Sequence, residues 1–169
     1  TQPLAVPSPR RDDAAAFAGA ALEPGSPLPQ VRVAEPFERI RRRTTEHART
    51  TGRYPKVLLL KRGDVKMKGA RSNFCFNFFG CAGFDMVEAE EYEGTDADLI
   101  ILCSSDPEYL AFAQEVCPKV KAPVLVAGNP KEQVAAMQGA GVQGFIHVLS
   151  DAIQTLTQWQ DKLGMRSTQ

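Results

Sequence analysis

Lys56-Val57-Leu58-Leu59-Leu60-Lys61 is an unbroken apolar run between two lysines, and Ala97-Asp98-Leu99-Ile100-Ile101-Leu102-Cys103 has the same form further along. Runs this short, with no polar alternation, predict strands buried on both faces, as strands of a parallel sheet are. Pro123–Ala127 (PVLVA) is a third such run, and Phe84–Glu88 and Gly144–Val148 read as weaker strands. Helical patterns fill the intervals. From about Met67 to Cys81, Ala70, Phe74, Phe78 and Cys81 share a face, and Gly83 stands where a helix would stop. Ser105 or Asp106 can cap the next helix, with Pro107 in its first turn and Pro118 beyond its end. Asn129-Pro130-Lys131-Glu132 reads as a capping box with proline at the first helical position. A last helix carries Ala152, Leu156, Trp159 and Leu163 on one face and ends at Gly164.

Strands alternating with helices, through connections long enough for right-handed crossovers, predict an α/β fold. The expected form is a flavodoxin-like (Rossmann-like), doubly wound, five-stranded parallel sheet in the order 2-1-3-4-5. In such sheets ligands bind beyond the carboxyl ends of the strands, where strands one and three diverge. That directs attention to three loops, Arg62–Gly69, Cys103–Asp106 and Ala127–Pro130.

Outward from this body, residues 35–54 read as a basic linker helix. Glu35-Pro36 suits a helix start, and Phe37, Ile40, Thr44 and Ala48 recur at helical spacing. Arg39, Arg41, Arg42 and Arg43 crowd the remainder, which suits either a helix that docks on another surface or a merely solvated charge run. Residues 1–34 carry six prolines and predict an extended linker or arm. The domain proper is expected over 55–169. The chain lacks an initiator Met, which suggests a processed product or a fragment.

Over all 169 residues, 20 Lys+Arg balance 20 Asp+Glu, so no global basic field points to nucleic acid or an anionic membrane. No apolar run approaches the ~18 residues of a membrane span. Cys75, Cys81, Cys103 and Cys117 form no Cys-x-x-Cys pair and have no His at zinc spacing, so no metal site is expected. They read as reduced thiols of a cytoplasmic protein. His47 and His147 have no Ser or Cys motif beside them, and no catalytic residue is assigned to this chain.

The loop after the first strand reads Gly63-Asp64-Val65-Lys66-Met67-Lys68-Gly69. It has neither the Gly-x-Gly-x-x-Gly nor the Walker pattern. Its Asp-x-Lys-x-x-Gly spacing resembles the Asp-x-His-x-x-Gly loop of the cobalamin (vitamin B12) binding domain of B12-dependent mutases. The likeness extends to residues 35–55, which resemble the helix preceding this domain in methylmalonyl-CoA mutase, and to 71–83 (RSNFCFNFFGCAG), Ile101–Tyr109 and Gly144–Gly164, which resemble the small, non-cobalamin-binding subunit of that mutase. In that family the His ligates cobalt, the Asp hydrogen-bonds that His, and the Gly lets the cofactor's nucleotide tail pass the helix start.

By this resemblance Asp64, Lys66, Gly69, Ser104, Ser105, Ala127 and Gly128 are the cofactor-binding positions, in vestigial form. Lys66 replaces the His, and a lysine ammonium offers cobalt no lone pair at neutral pH. Asp64 is then expected to pair with Lys66. Ser105 or Asp106 replaces the Leu of the family's Ser-x-Leu, and Ala127-Gly128-Asn129 replaces the Gly-Gly that leaves room for the cofactor's base. The resemblance implies a structural subunit of a heterodimer. The large catalytic subunit would hold adenosylcobalamin and interconvert methylmalonyl-CoA and succinyl-CoA, and this chain would bind no cofactor itself. The alternative is a genuine cobalamin-binding domain in which Lys66 is tolerated. A signalling receiver shares the fold but needs an acidic pair after the first strand, and none is present.

Overall fold

The computed structural model describes residues 34–165. The expected arm over 1–34 lies outside the described residues apart from Ala34, as does the end of the expected 55–169 domain beyond Met165. The strands are β1 (Lys56–Lys61), β2 (Asp85–Ala89), β3 (Leu99–Cys103), β4 (Val124–Ala127) and β5 (Val142–Ile146). All neighbouring pairs are parallel, in the order β2-β1-β3-β4-β5, so the doubly wound sheet read from the sequence is the sheet found. Helices α1 (Glu35–Thr51), α2 (Val65–Gly80), α3 (Tyr109–Val116), α4 (Val134–Ala140) and α5 (Ala152–Lys162) complete it.

Every residue of β3 and the inner four of β1 are buried. Successive side chains of a strand point to opposite faces, so such strands need cover on both sides. On one face Val57, Leu59, Leu99 and Ile101 pack with Cys75 and Phe79 of α2 and with Leu156 and Trp159 of α5. On the other, Leu58, Leu60, Ile100 and Leu102 meet Tyr109, Phe112 and Val116 of α3 and Met137 of α4. At about 1.5–3 kcal/mol for each buried aliphatic or aromatic side chain, these two layers outweigh any single cap or surface ion pair.

Several boundaries differ from the sequence reading. α2 starts at Val65, two residues early, because the Asp64 side chain caps it by accepting from Met67 N at 2.8 Å. Its buried face is Ser72, Cys75 and Phe79; Ala70 is exposed, and Phe74, Phe78 and Cys81 flank the core. Ser72 is drawn inward by a hydrogen bond to the Glu88 carboxylate of β2. Asn129–Glu132 forms no capping box. The chain turns with Gln133 N on Pro130 O, and α4 runs only from Val134. β5 lies two residues earlier than expected. The left-handed Gly141 (φ 113°) ends α4, and Val142 enters the sheet at once, beside a register irregularity at Val124/Leu125.

The basic helix α1 has a thin buried stripe of Ile40, Thr44 and Ala48, and the surface it covers is α5 of the same domain. The join is largely polar. Gln160, fully buried, donates its amide to Ile40 O and to Thr44 Oγ1, both at 2.8 Å. Arg43 donates to Asp161 and to the carbonyl of Met165. Gln160→Ala removes both amide bonds and leaves a buried carbonyl and hydroxyl short of a donor. The expected loss is about 1–3 kcal/mol, read as a lower urea midpoint at unchanged slope.

Candidate functional site

β1 and β3 are adjacent, but their following helices leave on opposite faces, so the chain opens a crevice above their carboxyl ends. The loop after β1 supplies Gly63 and Asp64, the loop after β3 Ser104 and Ser105, and the end of β4 Ala127 and Gly128. Five of the sequence-derived positions, Asp64, Ser104, Ser105, Ala127 and Gly128, thus share this edge. Lys66 and Gly69 sit on the first turns of α2, both exposed, and a side chain at Gly69 would meet open space.

The expected Asp64–Lys66 pair does not form. One Asp64 oxygen is committed to the Met67 N–H, where a carboxylate at a helix start also meets the positive end of the dipole. Residues two apart around a helix start do not face one another, so Lys66 gains nothing by competing.

The crevice also holds Glu108, Arg71 and Tyr109, which the sequence reading did not single out. Asp106–Glu108 forms one turn of 3-10 helix, capped reciprocally by Ser105 and Glu108. The Glu108 carboxylate accepts from Ser104 Oγ at 2.8 Å, from Ser105 Oγ, from Ser105 N at 3.3 Å and more weakly from Asp64 N at 3.4 Å. It therefore ties the β3 loop to the β1 loop. Gly63 has φ +79°, and a Cβ there would stand 2.2 Å from both Glu108 oxygens, so position 63 needs glycine twice over. Hydrogen bonds from Ser105 first, then Ser104 and the backbone, hold the Glu108 carboxyl down at about 2.

Arg71 of α2 crosses to the end of β4. Its guanidinium donates to Ala127 O at 2.9 Å and to Asp106 Oδ1 at 3.0 Å. A Cβ on Gly128 would lie 2.4 Å from Arg71 Nη1, so the room over this glycine is taken by an arginine of the chain itself. Tyr109 donates its hydroxyl to the same Ala127 carbonyl and accepts from Ser104 N at 3.0 Å. Burial pushes its phenol pKa well up, which keeps it a neutral donor. The Ser105-x-x-Glu108 spacing is a capping-box signal that could have announced Glu108. Nothing local announces Arg71, whose partners lie far along the chain.

The remaining candidates are local or apolar. His147 Nδ1 accepts from Leu149 N at 3.3 Å within one turn. The four cysteines are free, with Cys75 and Cys103 fully buried, and contact with Cys75 together with burial raises the Cys103 thiol. Among the described residues no group of three or more His, Cys, Asp or Glu could hold a metal ion, and no helix is long and apolar enough to cross a membrane.

Glu108 also gives the site a pH signature. Its folded-state pKa lies below the ordinary 4.5, so the carboxylate stabilises the fold above about pH 4.5, and that contribution fades as pH falls toward about 2. Glu108→Gln should therefore be less stable than the parent at pH 7, with the gap closing between those values. Urea unfolding of both proteins across that pH series measures it, and a gap that stays constant with pH would refute the assignment.

No family model matches the chain. The methylmalonyl-CoA mutase small subunit of Porphyromonas gingivalis is 36% identical over 152 residues, covering 83% of this chain and 24% of that protein. That of Streptomyces virginiae is 30% identical over 156 residues, covering 86% and 24%. A probable methylmalonyl-CoA mutase small subunit of Mycobacterium bovis is 30% identical over 100 residues, covering 53% and 16%. The chain thus spans about a quarter of the length of the first two. A two-component response regulator from Clostridium difficile superposes with TM-score 0.49 at 13% identity, covering 64% of this chain and 95% of that one. A likeness of that size adds nothing to the sheet order already described. By sequence, the chain is a homologue of a quarter-length region of methylmalonyl-CoA mutase small subunits.

Proposed function

We propose that the chain is the cobalamin-domain-like part of the small subunit of a heterodimeric methylmalonyl-CoA mutase, and that its role is structural. The activity it serves is the interconversion of methylmalonyl-CoA and succinyl-CoA, carried out by a large subunit that holds adenosylcobalamin. The relatives' names support the enzyme assignment. One observation supports the structural role: the chain's own side chains occupy the crevice.

The residues present do not fit the cofactor. An exposed ammonium, Lys66, stands at the position of the cobalt ligand. Glu108 lies against Gly63, and Arg71 lies over Gly128, the two glycines where backbone could approach a large ligand. Admitting one would break the Arg71 bonds to Ala127 O and Asp106 and the Glu108 bonds to both serines. Ser104 is fully buried and Ala127 fully enclosed, so the freed donors and acceptors would need new partners at once. This reading places the complex in the cytoplasm, where four unpaired cysteines remain reduced.

The test mixes the full chain with excess hydroxocobalamin, desalts it, and reads the visible absorbance of the protein fraction. Retention below a few hundredths of an equivalent is expected. The same chain should co-elute from a sizing column with the large subunit supplied in trans. Stoichiometric corrinoid retention would overturn the structural role and favour a genuine cobalamin carrier with Lys66 in place of His.

A further inference from the structure

Apart from the crevice, the domain has a groove of about 540 Å³ between α1 and α5. Its apolar wall is Ile40 and Ile153, and Arg39, Arg42 and Arg43 stand around it. Two polar side chains in its lining are more than nine-tenths buried and incompletely satisfied. Arg43 uses its terminal nitrogen on Asp161 and Met165 O, and its Nε–H has no partner among the described residues. Gln160 spends its amide N–H groups on Ile40 O and Thr44 Oγ1, and its Oε1 accepts nothing among the described residues. Buried donors and acceptors are paired in the great majority of proteins, so an unpaired donor and an unpaired acceptor lining one groove mark a place for a guest. Around them, Arg39 is held by Glu35, whereas Arg42 makes no ion pair among the described residues and is exposed.

We infer that this groove binds an acidic, extended stretch of a partner protein, independently of the role of the crevice. The chemistry of the lining selects that guest. A Glu or Asp carboxylate matches Arg42, the groove arginine without an ion pair among the described residues, and the unused Arg43 Nε–H; a backbone N–H supplies the donor that the Gln160 carbonyl lacks; an apolar neighbour covers Ile40 and Ile153. An inorganic phosphate brings neither a donor for Gln160 nor apolar surface. Both unpaired atoms lie beneath the groove surface and Arg42 is exposed at its edge, so Arg42 is the first charge that a guest meets. The chain's net charge of zero argues against a nucleic acid, which needs a broad basic field rather than one cationic groove.

The experiment titrates the full chain into a fluorescein-labelled peptide of alternating glutamate and leucine, with a glutamine-leucine peptide as control, and reads anisotropy. A saturable rise is expected for the glutamate peptide alone. Exchanging Arg39→Ala together with Arg42→Ala should weaken it at least about tenfold. Arg49→Ala, on the same helix outside the groove, should change it less than about twofold. Both arginines of the double variant are exposed, and an unchanged urea midpoint verifies that it is folded. Absence of saturable binding, equal binding of the glutamine peptide, or equal weakening by Arg49→Ala would each overturn the inference.

Discussion

β1 and β3 lie side by side with their apolar residues closed to water on both faces, and the domain is organised around that requirement. Neither strand can tolerate an open face, so helices must be placed on both sides. With parallel strands each crossover supplies one. α2 and α5 cover one layer, α3 and α4 the other. The crevice is a by-product of this solution. Chain leaving β1 turns to one face and chain leaving β3 to the opposite one, so their loops part above the strand ends.

What occupies that parting decides what the domain can do. Open loops there present serine hydroxyls and backbone N–H groups, which require either water or a ligand. Here Glu108 accepts from both serines and from the backbone of both loops, and Arg71 and Tyr109 converge on the Ala127 carbonyl. The polar groups are satisfied internally. Any ligand must therefore offer more than the contacts it displaces, and all of those except the Tyr109 bond involve a charged partner, which makes them roughly twice as strong as neutral ones.

The central strands were legible because a short continuous apolar run between charges has few other solutions, and the sheet order followed from the strand–helix alternation. The face of α2 was not legible. Phe74, Phe76, Phe78 and Phe79 admit several stripes, and Ser72 enters the buried one only because Glu88 on another strand receives its hydroxyl. A strand start at Gly144 puts β5 two residues late, whereas Gly141 followed by Val142 combines a helix stop with a β-branched strand residue. At the site, the positions contributed by loops could be read from the spacing, because each follows a strand end. The side chains that fill the space between them could not, since Arg71 meets its partners only after the crossovers have formed.

The two glycines sharpen this point. Gly63 and Gly128 both keep backbone positions without a side chain, the feature by which a phosphate-bearing or bulky ligand is ordinarily admitted. The resemblance marks Gly128 as a vestigial binding position and passes over Gly63. Yet each is constrained by a side chain of this same protein, a carboxylate at Gly63 and a guanidinium at Gly128. Glycine at such a site shows that something approaches the backbone closely, and the identity of what approaches is a separate question. In this domain an internal carboxylate and an internal guanidinium take that place, so the crevice retains the outline of a binding loop while its contacts serve to lock the loops together.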